Sequence, residues 1–218
     1  MTTTLLALLF LQGAAPVREP PPRLLYIYRD SLKAGVDSAY RAIENDGAQV
    51  CADHKCPNPY FSIESLTGPH EVWWVNAFAT DAETTRVARA YASNRPVTEA
   101  LAAIAGRKKA LIGMPIQGFA VYRAALSRGR AWSVAGARFV VIVVTRTQRQ
   151  VAGTVWEMAD STLYVLRTAT TRRAAEAMAR DPGAQIFALR PNWSMPAPEW
   201  VVADPEFWRD APKPKRER

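Results

Sequence analysis

Hydrophobic positions along the chain alternate between two periods, and the switches between them mark its elements. Residues 24–30 (Leu-Leu-Tyr-Ile-Tyr-Arg-Asp) are dense in strand formers and predict a first strand. Val36, Tyr40, Ile43, Gly47 and Val50 then recur at helical spacing with Arg41, Glu44, Asn45 and Asp46 between them, which predicts an amphipathic helix to about His54. Residues 60–66 and 72–78 read as a hairpin around Thr67-Gly68-Pro69-His70, where Gly and Pro supply the turn geometry. Thr80 and Glu83 make a capping box for a second helix carrying Val87, Ala90 and Tyr91. Asn94-Arg95-Pro96 interrupts it before it resumes through Leu101 and Ile104, and Arg107, Lys108 and Lys109 suit its negative C-terminal end. Residues 118–125 supply a fourth strand, so residues 24–126 spell β-α-β-β-α-β.

A shorter version of the pattern follows. Residues 139–144 are a continuous β-branched and aromatic run, the mark of a central strand covered on both faces. Residues 151–158 and 162–168 form a second hairpin around Ala159-Asp160-Ser161, followed by a helix from Thr170 or Thr171 that Asp181-Pro182-Gly183 stops. Residues 185–189 read as a last strand. The Pro- and Trp-rich stretch 191–208 reads as an irregular wrap, with Trp193, Trp200 and Trp208 sealing an edge of the core; Trp132 gives no signal. Ile63-Glu64-Ser65-Leu66 in the first hairpin corresponds to Trp156-Glu157-Met158-Ala159 in the second. The expected fold class is therefore α+β: two ferredoxin-like units in one chain, residues 16–126 and 127–208, closing a fused, pseudo-twofold barrel. The second unit is degenerate, because residues 148–151 are too few for its first helix.

On this element order, and on the strand Glu71-Val72-Trp73-Trp74-Val75-Asn76-Ala77-Phe78, residues 24–190 resemble the ferredoxin-like dimeric α+β barrel superfamily that includes antibiotic-biosynthesis-monooxygenase-like and NIPSNAP-like domains. The resemblance implies two units packed sheet to sheet around a cavity. It also implies a cofactor-independent monooxygenase or a haem-degrading enzyme, holding an apolar substrate beside a polar side chain such as Asn76. The Asn, Trp and His pattern of the haem-degrading branch is not matched, since neither histidine falls on a cavity-facing position.

Composition narrows the class. With 218 residues, 49% of them hydrophobic, the chain can bury one sizeable core. Residues 5–11 (Leu-Leu-Ala-Leu-Leu-Phe-Leu), followed by Gly13, Ala14 and Ala15, read as a signal peptide over residues 1–15, although no Lys or Arg precedes the apolar run. That run is too short to span a bilayer, and no other segment is long enough; the expected location is secreted or periplasmic. The formal charge of +8 owes much to residues 209–218, a Pro-rich basic tail expected to be disordered and able to touch anionic surfaces. The rest is scattered, without the basic and aromatic interleaving of a nucleic-acid groove. Cys51 and Cys56 suit a disulfide pinning a helix end to the next loop, since Pro57 and Pro59 take the chain out of the helix. The competing metal site with His54 lacks a fourth ligand.

No phosphate loop, zinc-protease helix, nucleophile elbow or cofactor fingerprint occurs. His54 and His70 fall at a helix end and in a turn. Candidate chemistry comes from strand alternation: if Phe61 and Ile63 face the helices, then Ser62, Glu64, Tyr26, Tyr28, Trp74 and Asn76 line the barrel. Glu157, at the place of Glu64 in the second unit, would bring a second carboxylate. Such a pair can split its pKa values for acid and base work or grip a cation; alternatively each glutamate lies on open sheet or pairs with Arg123, Arg146 or Arg167. The function expected is a non-catalytic module binding a small apolar or aromatic ligand or a partner, with catalysis of the oxygenase or haem-degrading kind as the alternative.

Overall fold

The computed structural model describes residues 19–128 and 132–215, so the expected leader lies outside the described residues. In chain order the elements are β1 (Leu24–Ser31), α1 (Asp37–Asp53), β2 (Phe61–Ser65), β3 (Glu71–Phe78), α2 (Asp81–Ser93), α3 (Arg95–Lys108), β4 (Ile116–Tyr122), β5 (Ser127–Arg128), β6 (Phe139–Thr145), β7 (Val151–Ala152), β8 (Thr154–Met158), β9 (Leu163–Ala169), α4 (Arg172–Met178), β10 (Gln185–Leu189) and α5 (Pro198–Ala203). Eight strands close an antiparallel barrel in the order β1-β3-β2-β10-β6-β9-β8-β4. It consists of two four-stranded arcs, β4-β1-β3-β2 and β10-β6-β9-β8, joined by the β2–β10 and β4–β8 ladders. Closure leaves none of these strands with an open edge.

Local chemistry sets the helix boundaries. Thr80 caps α2 by accepting from the Glu83 amide, while the Glu83 carboxylate accepts from the Ala79 amide. Asn94 ends α2 and caps α3 through the Val97 amide, with Pro96 in the first turn of α3, where its missing N–H costs nothing. Gly47 lets α1 and α3 approach, because a Cβ there would sit 3.3 Å from Ile104.

The barrel interior is rich in aromatic side chains. Trp73 meets Tyr164 and Phe187 from across the lumen, with ring centroids 5.3 and 5.4 Å apart. Trp132, silent in the sequence, lies 4.9 Å from Trp156 and 5.7 Å from Phe61. Trp200 and Trp208 join the same core and stack on each other. Burying each such side chain contributes about 1.5–3 kcal/mol. A bidentate Arg29–Glu71 ion pair also points inward, and Glu71 accepts the Trp73 indole N–H at 2.9 Å.

The outer faces are covered unequally. On the first arc, α1 packs Tyr40 against Val72, and α2 packs Val87 against Leu24 and Phe78. On the second arc, only α4 covers Val141, Ala169 and Ile186. The expected strand 151–158 is broken at Gly153, whose φ of +126° and 2.9 Å approach of a Cβ to the Leu166 carbonyl require glycine. The wrap contains the short helix α5. Through residue 215 the tail lies against α1: Gln49 donates to the Lys213 carbonyl, and Asp53 accepts from the Lys215 amide. Composition does not reveal those partners on α1. The Cys51–Cys56 disulfide forms as expected. No helix among the described residues is long and apolar enough to cross a membrane.

Candidate functional site

The side-chain alternation runs opposite to the expectation. Phe61 and Ile63 point into the barrel with Leu25, Ile27, Trp73 and Val75, so Tyr26, Tyr28, Ser62, Glu64, Trp74 and Asn76 lie on the outer face. The first arc is covered on both sides and therefore carries hydrophobic residues at both parities. Aliphatic and aromatic groups fill most of the lumen around the Arg29–Glu71 pair, while Tyr26, Tyr28, Ser62, Glu64 and Asn76 go to the helix side.

Three of these residues meet at a cleft between that outer face and the helices. Tyr28, Trp74 and Asn76 form its sheet wall; α1 contributes Glu44, Gly47, Ala48 and Cys51, α2 Tyr91, α3 Leu101, Ile104 and Lys108, and Tyr60 comes from the chain entering β2. The cleft holds about 290 Å³, at the lower end of small-molecule sites. Tyr28, Trp74, Asn76, Tyr91 and Leu101 keep partial exposure, so it opens to solvent. Tyr28 and Trp74 meet edge to face at 5.5 Å. Asn76 is held by donating to the Pro59 carbonyl at 3.0 Å. Among the described residues, the hydroxyls of Tyr28, Tyr60 and Tyr91 have no hydrogen-bond partner.

The floor carries two buried carboxylates and one ammonium. Lys108 Nζ lies 2.5 Å from Glu44, 3.8 Å from Asp30, and 3.9 Å above the centre of the Trp74 ring. Tyr40 donates to Asp30 Oδ2 at 2.8 Å, whereas Asp30 Oδ1, equally buried, finds no partner among the described residues. Burial pushes the Glu44 carboxyl up to about 7; the Lys108 charge opposes this and the Asp30 charge adds to it. Asp30 is raised as well, by burial against the pull of Lys108 and the Tyr40 hydrogen bond. Burial first, and then the negative charge of Asp30, pushes Tyr28 up to about 12; burial takes Tyr91 to about 12 and raises Tyr60 further. With Glu44 ionised the floor is one positive charge short, and in that state it suits a ligand that brings its own.

The remaining expected residues lie elsewhere. Tyr26 donates to Gln117 and packs on Phe119. Ser62 anchors the wrap through the Trp193 carbonyl and Ser194. Glu64 is taken by Arg41, Arg190 and His70, and Glu157 by Arg123. Because β2 and β8 stand opposite each other around the barrel, these two carboxylates are not a pair. His70 lies between Asp37 and Glu64, and His54 caps α1, so neither histidine opens on the cleft. Among the described residues no His, Cys, Asp and Glu cluster suits a metal, and the disulfide occupies both cysteines. The floor that pattern reading missed had a signal: Val97, Leu101, Ile104 and Lys108 form one stripe of α3, and Glu44 falls on the apolar stripe of α1.

No family model matches the chain, and no curated protein matches it in sequence. Three solved structures are similar in their course. A provisionally assigned monooxygenase from Lactobacillus acidophilus NCFM has a TM-score of 0.39 at 8% identity, over 84% of this chain and 87% of that one. Another from Fusobacterium nucleatum subsp. nucleatum ATCC 25586 has a TM-score of 0.41 at 9% identity, over 79% and 92%. A provisionally assigned chlorite dismutase has a TM-score of 0.42 at 10% identity, over 83% and 98%. The likeness concerns the course of the backbone, and none of the chemistry of those proteins transfers with it.

Proposed function

We propose that this protein binds a small aromatic amine in the cleft between the outer face of the first arc and its helices. The observation that carries the reading is the floor, where two buried carboxylates share one ammonium beneath an aromatic wall. A protonated amine entering there would complete the charge balance, lie against the Trp74 and Tyr faces, and be offered three unpartnered phenol hydroxyls. The disulfide supports a place outside the reducing cytoplasm. The common strand succession of the two arcs supports the reading of two related units.

Calorimetric titration with tyramine, p-cresol and 4-hydroxyphenylacetate tests the assignment, since the three probes share a phenol body and differ in charge. Tyramine should bind tightest and the acid weakest, and Glu44→Gln should weaken tyramine by about 10- to 100-fold, the worth of one charge-assisted hydrogen bond. Equal affinities for the three, or an unaffected variant, would reject it. A catalytic reading rests on the same carboxyl: poised near neutrality, Glu44 could take a proton from a bound phenol or enol, the activating step of a cofactor-independent oxygenase. Substrate-dependent oxygen uptake, abolished by Glu44→Gln, would favour that reading; no uptake over a phenol panel would remove it.

A further inference from the structure

Most described arginines hold a carboxylate, from Arg23 on Asp81 to Arg209 on Glu206. Among the described residues the exceptions are Arg89, Arg128, Arg149, Arg173 and Arg180, and three of these five border a single cleft on the outer face of the second arc. Arg128, Arg149 and Arg180 rim a cavity of about 560 Å³ between the segment carrying β7 and the end of α4. Arg128 spends its Nε on the neutral Gln150 side chain at 2.7 Å. Arg149 and Arg180 are exposed and their guanidinium groups are uncommitted. A fourth arginine, Arg167, is fixed by the Ala152 and Met178 carbonyls and by Asp181 at 2.6 Å. Among the described residues Asp181 is the one acid on this lining, so the rim is short of negative charge.

The cavity continues into a second space of about 210 Å³ that shares Arg149, Val151, Arg167 and Asp181 with it. Here the floor is sheet: Val143 with the buried Val155, Leu163 and Val165 forms an aliphatic patch on which Leu126 and Val151 pack, with no α-helix over it among the described residues. The break at Gly153 turns the chain so that residues 149–151 pass over this patch. A guanidinium rim at one end and an aliphatic floor at the other form an amphipathic site whose polarity fixes the orientation of its occupant.

We propose that this second cleft binds an anionic amphiphile: one acidic head, carboxylate or phosphate monoester, carried on an aliphatic chain. Planar guanidinium forks match both heads in bidentate fashion, and the trough accepts the chain. The site shares no residue with the first cleft and stands apart from the amine reading.

Titration calorimetry with decanoate, decyl phosphate, 1-decanol and inorganic phosphate separates the parts. Either acid should bind, while the neutral alcohol and the bare anion bind at least about tenfold more weakly, because each offers only half of the recognition. Arg149→Gln with Arg180→Gln should weaken the acids by about 10- to 100-fold, a range set by one to two lost charge-assisted contacts. Those side chains are exposed and hold no partner, so the fold does not depend on them. Glu44→Gln should leave acid binding unchanged, so failure of the amine reading and failure of this one remain distinguishable. Decanol binding as tightly as the acids, an unaffected double variant, or no binding of either acid would overturn the proposal.

Discussion

Glu44→Gln preserves the volume of a side chain that is 3% exposed and removes its titration. In the folded wild type this carboxyl ionises near 7 rather than at 4.5, chiefly because burial disfavours the anion. Between those values the folded chain holds a proton that the unfolded chain has released, so the native state is favoured at low pH and loses that advantage as pH rises through 7. At 1.36 kcal/mol per pH unit, a window of that width is worth about 3 kcal/mol. Asp30, also raised, adds in the same sense, and removing the Glu44 charge relaxes it. Urea unfolding of both proteins at intervals from pH 4.5 to 8.5 reads the difference. With a slope of about 2 kcal/mol per molar urea, the wild-type midpoint should fall relative to the variant by about 1.5 M across that range. Parallel curves would show that Glu44 titrates normally, and the charge argument for the cleft floor would fail with it.

Two further outcomes follow from the described geometry. The Cys51–Cys56 bridge spans a separation of only five residues, so its loop-closure contribution is small; Cys51→Ser with Cys56→Ser should cost about 2 kcal/mol by urea unfolding, and a variant as stable as wild type would contradict this. Glu64→Gln should cost about 2–3 kcal/mol, because Arg41 and Arg190 lose a carboxylate that is itself buried, whereas Glu157→Gln frees only the exposed Arg123 and should cost under about 1 kcal/mol; equal penalties would show that burial does not separate the two sites.

Element order was legible because it is written locally. The Thr80–Glu83 box, the Asn94-Arg95-Pro96 break and the Asp181-Pro182-Gly183 stop each act over a few residues, and all three fall where expected. Facing was not legible on the first arc, because a strand covered on both sides loses the contrast that alternation needs: Tyr28 and Trp74 are as apolar to a pattern as Ile27 and Trp73. Trp132 was silent for a different reason, as it owes its place in the lumen to closure of the barrel and not to its neighbours in sequence. Glu64 and Glu157 correspond in pattern and are separated by the barrel, whereas Asp30 and Glu44 come from a strand and a helix and meet only when α1 docks.

The two clefts differ because the two arcs are covered differently. Over the first arc, α1 and α3 are long enough to bring Glu44 and Lys108 across the sheet, and the space left beneath them is aromatic with a buried polar floor. Between β6 and β8 the chain has only residues 146–153, too short a connection for a packed helix. The aliphatic face of β6, β8 and β9 is therefore left to a strap, and Arg149 of that strap and Arg180 after α4 find no carboxylate opposite among the described residues. With no helix over this face among the described residues, an apolar trough and unpaired arginines fall in the same place, and those are the two features an anionic amphiphile requires. A chimera that replaced residues 146–153 with a docked helix should abolish that binding and leave the first cleft untouched.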